Sequence, residues 1–495
     1  MNTFKRKALS TVVLGALGAA AGAAHAVYQD PNGLGQALIY PYYSVQTANG
    51  SAFNTYISVV STSQGKVLKV RAREGKTSAE VIDFNLYLSP NDVWTAAIIP
   101  ADGTAAAGAR LITADVSCTN PAIPAGGVDF RNYQYVGDGL GNGLDRTREG
   151  YMEIIEMATI VGSALTAATH NSAGTPTCTG LVGPTVATTG NLAGNLRAPT
   201  GGVNGTGTLI NVNNGVEMGY NATALANVSA GSIYAEIGTE LGTLADADPV
   251  SVVVANNRVY RSDFPLTSSG VSGGVRAVSA TIDRSAVINE YVLDTATRSN
   301  TDWVMTFPTK HFFYVGAAGT PEAPFTGVLG ANGACEPIAL TFFNREERGA
   351  AAAGVDFSPL PPGTPGSSLC WESTVMSIRN GAAHNPTGSV SGVLGSVNTV
   401  PINITSTFQS GWMNVAFTGA AATAPGITSA ATSTTTNVNT GVAVVGAQTF
   451  VGLPVVGFMV RTFNNGNISS GGSTVLSNYG SAFDHKYRQT VTPTP

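Results

Sequence analysis

The sequence predicts an all-β fold, a β-sandwich of jelly-roll or Ig-like type carrying long low-complexity loops. Three observations predict it. Apolar residues alternate at a period of two in short runs, Gly, Pro, Ser and Asn punctuate those runs, and helical character is confined to one ambiguous segment. The 495 residues include 59 Gly and 25 Pro, and 43% are hydrophobic, enough to build a sizeable core. Charged residues make up 11%, against about 25% in an ordinary soluble domain. With 25 basic residues against 30 acidic ones, the basic stripe that neutralises phosphates is missing, which excludes a nucleic-acid binder.

The clearest element is a hairpin. Leu68, Val70 and Ala72 alternate with Lys69, Arg71 and Arg73, and after a polar turn at 74–79 Ile82, Phe84, Leu86 and Leu88 alternate with Asp83, Asn85 and Tyr87. Cations on one strand and acids or amides on the next make suitable cross-strand partners. Further strands are expected at Ala37–Val45, Thr55–Thr62, Val250–Tyr260, Trp303–Phe307, Ile338–Phe343, Glu372–Ile378, Trp412–Phe417 and Val455–Phe463. The helix candidate is Ala277–Leu293, where the periodicity is mixed.

Low-complexity tracts at 164–211 and 428–441, and a proline-bearing connector at 357–368, separate these runs. The expected organisation is a leader over 1–26, an N-terminal β region over 27–163, an insertion or linker over 164–211, a C-terminal β region over 212–480 and a polar tail over 481–495. That tail, and the lack of aromatic girdles at regular strand spacing, weigh against an outer-membrane barrel.

Lys5, Arg6 and Lys7 followed by an apolar run to Gly22 and by Ala24-His25-Ala26 have the layout of a secretory signal peptide cleaved before Val27. Its loss would take the formal net charge from −5 to −8. The apolar run is too short to span a bilayer, so no transmembrane helix is expected. Export places the chain in the periplasm, at the cell surface or outside a bacterium, where cysteines pair. Cys118–Cys178 and Cys335–Cys370 is the favoured connectivity of three, because each pair closes one loop-rich region. No zinc or haem spacing is present.

Chemistry has few places to reside. Asp138, Asn142 and Glu149 fall at positions 1, 5 and 12 of a calcium-loop template, with Gly143 at its turn, but Leu140 and Arg146 occupy two ligand positions. A calcium ion is therefore the one cofactor to test, with arginine pairing as the simpler account. Glu149, Glu153 and Glu156 are candidate glycosidase acids, yet on a strand Glu153 and Glu156 point to opposite faces. Gly270-Val271-Ser272-Gly273-Gly274 matches a nucleophile elbow in pattern, within what reads as a Gly/Ser loop. No catalytic residue is assigned. Tyr40, Tyr42 and Tyr43 form a candidate sugar-stacking platform, with core packing as the alternative.

Ala37 to Tyr43, Asp83 to Trp94, Thr301 to His311 and Asn344 to Glu347 together resemble an uncharacterised family of exported bacterial proteins, labelled cell-surface or hypothetical. The resemblance spans most of the mature chain apart from the low-complexity loops. It implies export and a shared fold, and attaches no catalytic role to any residue. The expected function is a secreted, non-catalytic structural or adhesive protein meeting surface polymers, glycans or other protein subunits. The alternative is a carbohydrate-binding module or carbohydrate-active enzyme.

Overall fold

The structure, a computed structural model, describes residues 25–102, 107–135, 138–267, 270–315, 319–350, 368–419, 422–423 and 425–493. The leader up to Ala24 and the proline connector over 357–367 lie outside the described residues. No helix among the described residues is long and apolar enough to cross a membrane.

Strands dominate, as the alternation predicts. The first nine principal strands are β1 (Ala37–Ser44), β2 (Asn54–Ser61), β3 (Lys66–Glu74), β4 (Glu80–Leu88), β5 (Val93–Pro100), β6 (Ala109–Ile112), β7 (Glu149–Ile160), β8 (Val203–Asn211) and β9 (Val216–Asn221). They form two antiparallel sheets. In one, the order β1-β7-β3-β4 is extended by Thr223–Ala226 and Tyr28–Gln29 beside β1 and by Cys118–Asn120 beside β4. The other runs β6-β5-β2-β8-β9. Leu68 and Val70 from β3, Ile57 from β2, Trp94 and Ile98 from β5 and Met218 from β9 fill the space between them.

A second sandwich follows, from β12 (Ala286–Val292), β13 (Ser299–Thr306), β14 (Ala339–Asn344), β15 (Ser373–Arg379), β16 (Thr399–Asn403), β17 (Ser410–Ala416), β18 (Phe458–Ser470), β19 (Ser473–Asp484) and β20 (Lys486–Arg488). One sheet runs β14-β17-β12-β20 and the other β16-β15-β13-β18-β19. The latter is shared. Trp303, Met305 and Met376 face the second core, while Val304, Val375 and Phe458 face the first. The phenyl ring of Phe458 stacks on Tyr220 at 4.5 Å, and Thr306 Oγ1 donates to Pro41 O at 2.6 Å. The two sandwiches therefore pack as successive layers rather than as beads on a linker.

Between the two runs, β10 (Val250–Ala255) and β11 (Arg258–Asp263) form a hairpin. Asn256 and Asn257, both at positive φ, make the two-residue turn, which splits the one strand expected at Val250–Tyr260. Helix α1 (Gly162–Ala168) lies on the outer face of the first sandwich. Helix α2 (Gly273–Thr281) packs Ala277, Val278 and Ala280 against Val253 and Tyr260. The mixed periodicity of Ala277–Leu293 is thereby explained: the segment ends α2 and then enters β12.

Two of the expected segments are built into the sheets. The tract 164–211 contains β8, which sits inside its sheet between β2 and β9, so it is not a spacer between domains. The tail over 481–495 is also built in: Lys486–Arg488 pairs with β12 and Val491–Pro493 with Gln448–Phe450. Both disulfides have the favoured connectivity, and Cys118–Cys178 ties the loop after α1 to the sheet edge beside β4.

The hairpin β3–β4 departs from expectation in one respect. Its charged face is buried. Lys66, Lys69 and Arg71 are fully buried and Arg73 nearly so. Residues 233–242 cover Lys69 and Arg71: Ile233 N–H donates to Met157 O, and the Arg71 guanidinium donates to the carbonyls of Leu241 and Gly242, while Lys66 lies against Thr200 and Arg73 donates to Ser78 O. Lys69 meets Asp83 at 3.0 Å, as cross-strand pairing predicts, and Arg71 meets Glu80, a partner that the alternation does not display because the register shifts between Ala72 and Arg73. Lys66 meets Glu156 at 2.8 Å and Arg73 meets Glu153 at 3.2 Å on β7. Removing one member of such a pair leaves a charge without water or counter-ion. Lys66→Met is expected to cost about 3–5 kcal/mol in chemical denaturation, and Lys66→Met/Glu156→Gln to recover only part of it, because the amides of Thr200 and Gly201 donate to different oxygens of Glu156 and the single glutamine oxygen replaces only one of them.

Candidate functional site

The carboxylates of β7 are the first place to look for chemistry. On a strand their side chains diverge, and each is consumed separately. Glu149 accepts from Tyr42 Oη at 2.7 Å, Gln46 Nε2 at 3.2 Å, Ser396 Oγ at 2.6 Å and the amides of Val397 and Asn398 at 3.0 and 3.1 Å. Glu153 is held by Arg73, and Glu156 by Lys66 together with Thr159 and the amides of Thr200 and Gly201. All three are essentially without solvent exposure. A glycosidase needs two carboxyls facing one sugar, and this strand offers no such face.

For the calcium-loop residues the same geometry shows the arginine pairing that is the simpler account. Asp138 lies 2.7 Å from Arg146 and accepts from Leu140 N–H, Asn142 is exposed with its carbonyl accepting from Asn132, and Glu149 is turned into the protein toward residues 396–398. Arg146 takes the cation's place, pairing with both Asp138 and Glu74. Among the described residues no three acidic, histidine or cysteine side chains gather as a metal would require.

The tyrosine platform is also corrected. Tyr40, Tyr42 and Tyr43 are buried at 0–1% exposure, and their hydroxyls donate to Ser58 O, Glu149 and Thr147 O. Aromatic rings with a hydroxyl handle suit a core when the handle finds an acceptor, and these do. Ser272 opens α2 rather than lying in a free loop: its Oγ accepts from Val275 N–H and donates to Ala245 O. A helix cap replaces the nucleophile. Of the histidines, His170 lies by Asp92 and Ser89, His384 bonds Ser299 O, and His485 bonds Asn289 and Val304 O.

What the sequence does not display is a cleft where the two sandwiches meet. It has a volume of about 780 Å³ and is walled by the turn 29–34, by β8 and β9, and by β20 with its flanks. The Tyr-Pro-Tyr-Tyr run reaches it only through Pro41. Asp30, Arg284, Asp484 and Lys486 bring two negative and two positive charges to it. Asp30 is bound to its own turn, accepting from the amides of Asn32 and Leu34. His485 is neutral there, since burial lowers its imidazole to about 4. Tyr487 stands on β20 at 48% exposure, with the Arg284 guanidinium carbon 3.7 Å from its ring centre.

Beneath the cleft Asp283 is fully buried, and neither carboxyl oxygen has a hydrogen-bond partner. The neighbouring Arg284 turns away, donating to Gln29 Oε1 and to the carbonyls of Thr281 and Asp283. Burial raises the Asp283 carboxyl from 3.8 to about 8, with Arg284 opposing that shift. The unfolded chain ionises this group above about pH 4 while the folded chain keeps it protonated to about pH 8. Its contribution to stability is therefore full below pH 4 and declines up to pH 8, by at most about 1.4 kcal/mol per pH unit. Denaturant unfolding between pH 4.5 and 8 should show this decline in the native chain and a shallower one in Asp283→Asn.

Comparison of the chain with protein-family models, curated proteins and solved structures finds no match, so what the cleft does is argued from its own residues.

Proposed function

We propose that the chain is an exported, non-catalytic scaffold with a structural or adhesive role at the bacterial surface. The observation that carries this reading is the commitment of Asp138, Glu149, Glu153 and Glu156, each already the counter-ion or acceptor of a named group. A hydrolase would keep two such carboxyls free and facing one opening. Two disulfides support residence in an oxidising compartment. The packed layers support a rigid body that presents loops and a polar cleft to long polymers. The leader pattern and the resemblance of Ala37–Tyr43 and Asp83–Trp94 to exported proteins point the same way.

A second reading, a carbohydrate-binding module, is favoured by one observation, the exposed Tyr487 in the cleft. Fractionation of producing cells should place the chain in the envelope or medium. Incubation of the purified mature chain with a polysaccharide panel should release no soluble sugar. Glycan turnover that Glu153→Gln abolishes would sink the non-catalytic reading.

A further inference from the structure

On the adhesive reading, the lining of the cleft defines the chemistry of what it holds. Tyr487 belongs to β20, the edge strand of its sheet, and is half exposed. Arg284 is only 4% exposed and its guanidinium is fixed by three oxygens: Gln29 Oε1 at 2.6 Å, Asp283 O at 2.8 Å and Thr281 O at 3.2 Å. That clamped cation lies 3.7 Å from the ring centre and helps to hold the ring, and Tyr487 is among the residues that line the cleft. A rigid aromatic with one wet side is what an apolar ring face with polar edges can lie on at small entropic cost.

The surroundings narrow the class. Asn204 and Asn221 also line the cleft, from β8 and β9, and neither side chain has a hydrogen-bond partner among the described residues. Each carboxamide offers two donors and an acceptor oxygen, a match for vicinal hydroxyls. The charges lining the cleft balance, so no net field gathers an anion. A nucleotide would stack as well, but its phosphates need cations in excess. The volume of about 780 Å³ falls within the usual range for a ligand pocket and exceeds what one monosaccharide fills.

We propose that the cleft between the sandwiches is a binding site for a neutral oligosaccharide, one ring stacked on Tyr487 and its hydroxyls bonded by Asn204 and Asn221. Calorimetric titration of the disulfide-intact mature chain with cellohexaose, maltohexaose, chitohexaose and a galacturonate oligomer tests it. Binding of a neutral probe is expected, little changed by added salt, with Tyr487→Ala weakening it at least about tenfold and Tyr487→Phe sparing it. Asn221→Ala, an exposed substitution that leaves folding untouched, should weaken it severalfold. If a neutral probe binds the native chain and both alanine variants equally, the cleft assignment fails while the adhesive reading stands. Preference for the galacturonate with steep salt dependence overturns the neutral class. If no probe binds, the assignment also fails, and adherence of chain-coated beads to bacterial envelopes then decides the adhesive reading separately.

Discussion

A charge removed from water must be given another, and the first sandwich is organised by that demand. Four cations on β3 lie under a cover of protein, and each finds a carboxylate on β4 or β7. Such pairs contribute little net stability over an apolar core, because desolvation offsets the attraction. Their effect is on specificity. A slip of one residue between β3 and β7 would turn Lys69, Arg71 and Arg73 toward the apolar core and Leu68, Val70 and Ala72 outward, so the pairs and the core enforce the same register. The cover over 233–242 is held by the same residues, since Arg71 donates to Leu241 and Gly242.

The join between the sandwiches uses the same device with backbone donors. Residues 391–398 lie between two buried carboxylates. Asp302 on β13 accepts from the amides of Gly392, Val393 and Leu394, and Glu149 on β7 accepts from Val397 and Asn398. Desolvation raises the Asp302 carboxyl, and those amides work against the shift. One loop thus links the anions of two sandwiches. Glu149, a candidate for metal or sugar chemistry in the sequence, is spent on assembly. With carboxylates used in this way, the open part of the junction is left with amides, an aromatic ring and balanced charges.

Much of the fold was legible because period-two alternation needs no partner to be seen. Lys66–Glu74 and Glu80–Leu88 pair as their patterns require, and the disulfides join the cysteines that close the two loop-rich regions. Less was legible where one residue type serves two environments. Tyr40, Tyr42 and Tyr43 read as core with a sugar platform as the other possibility, and acceptors remote in sequence, such as Glu149 and Ser58, hold them in the core. The spacing of Asp138 to Glu149 suggested a calcium loop, but a strand carries Glu149 away from Asp138, and Arg146 fills its place. Val203–Asn211, poor in charge and rich in Gly and Thr, resembled a linker and is a central strand, since Gly205 and Gly207 leave room for the rings of Tyr40 and Tyr220.

The sequence by itself determined the strand-rich class, the low charge and the hairpin that sets cations of β3 opposite acids and amides of β4. These depend on neighbours close along the chain or on composition, so local pattern suffices. Tertiary structure alone decided which polar faces are buried and where a ligand has room. Tyr487, Arg284 and Asn221 are distant in sequence and meet only because two sandwiches pack with a gap between them. No local pattern encodes a cavity, because a cavity is what remains after packing is complete.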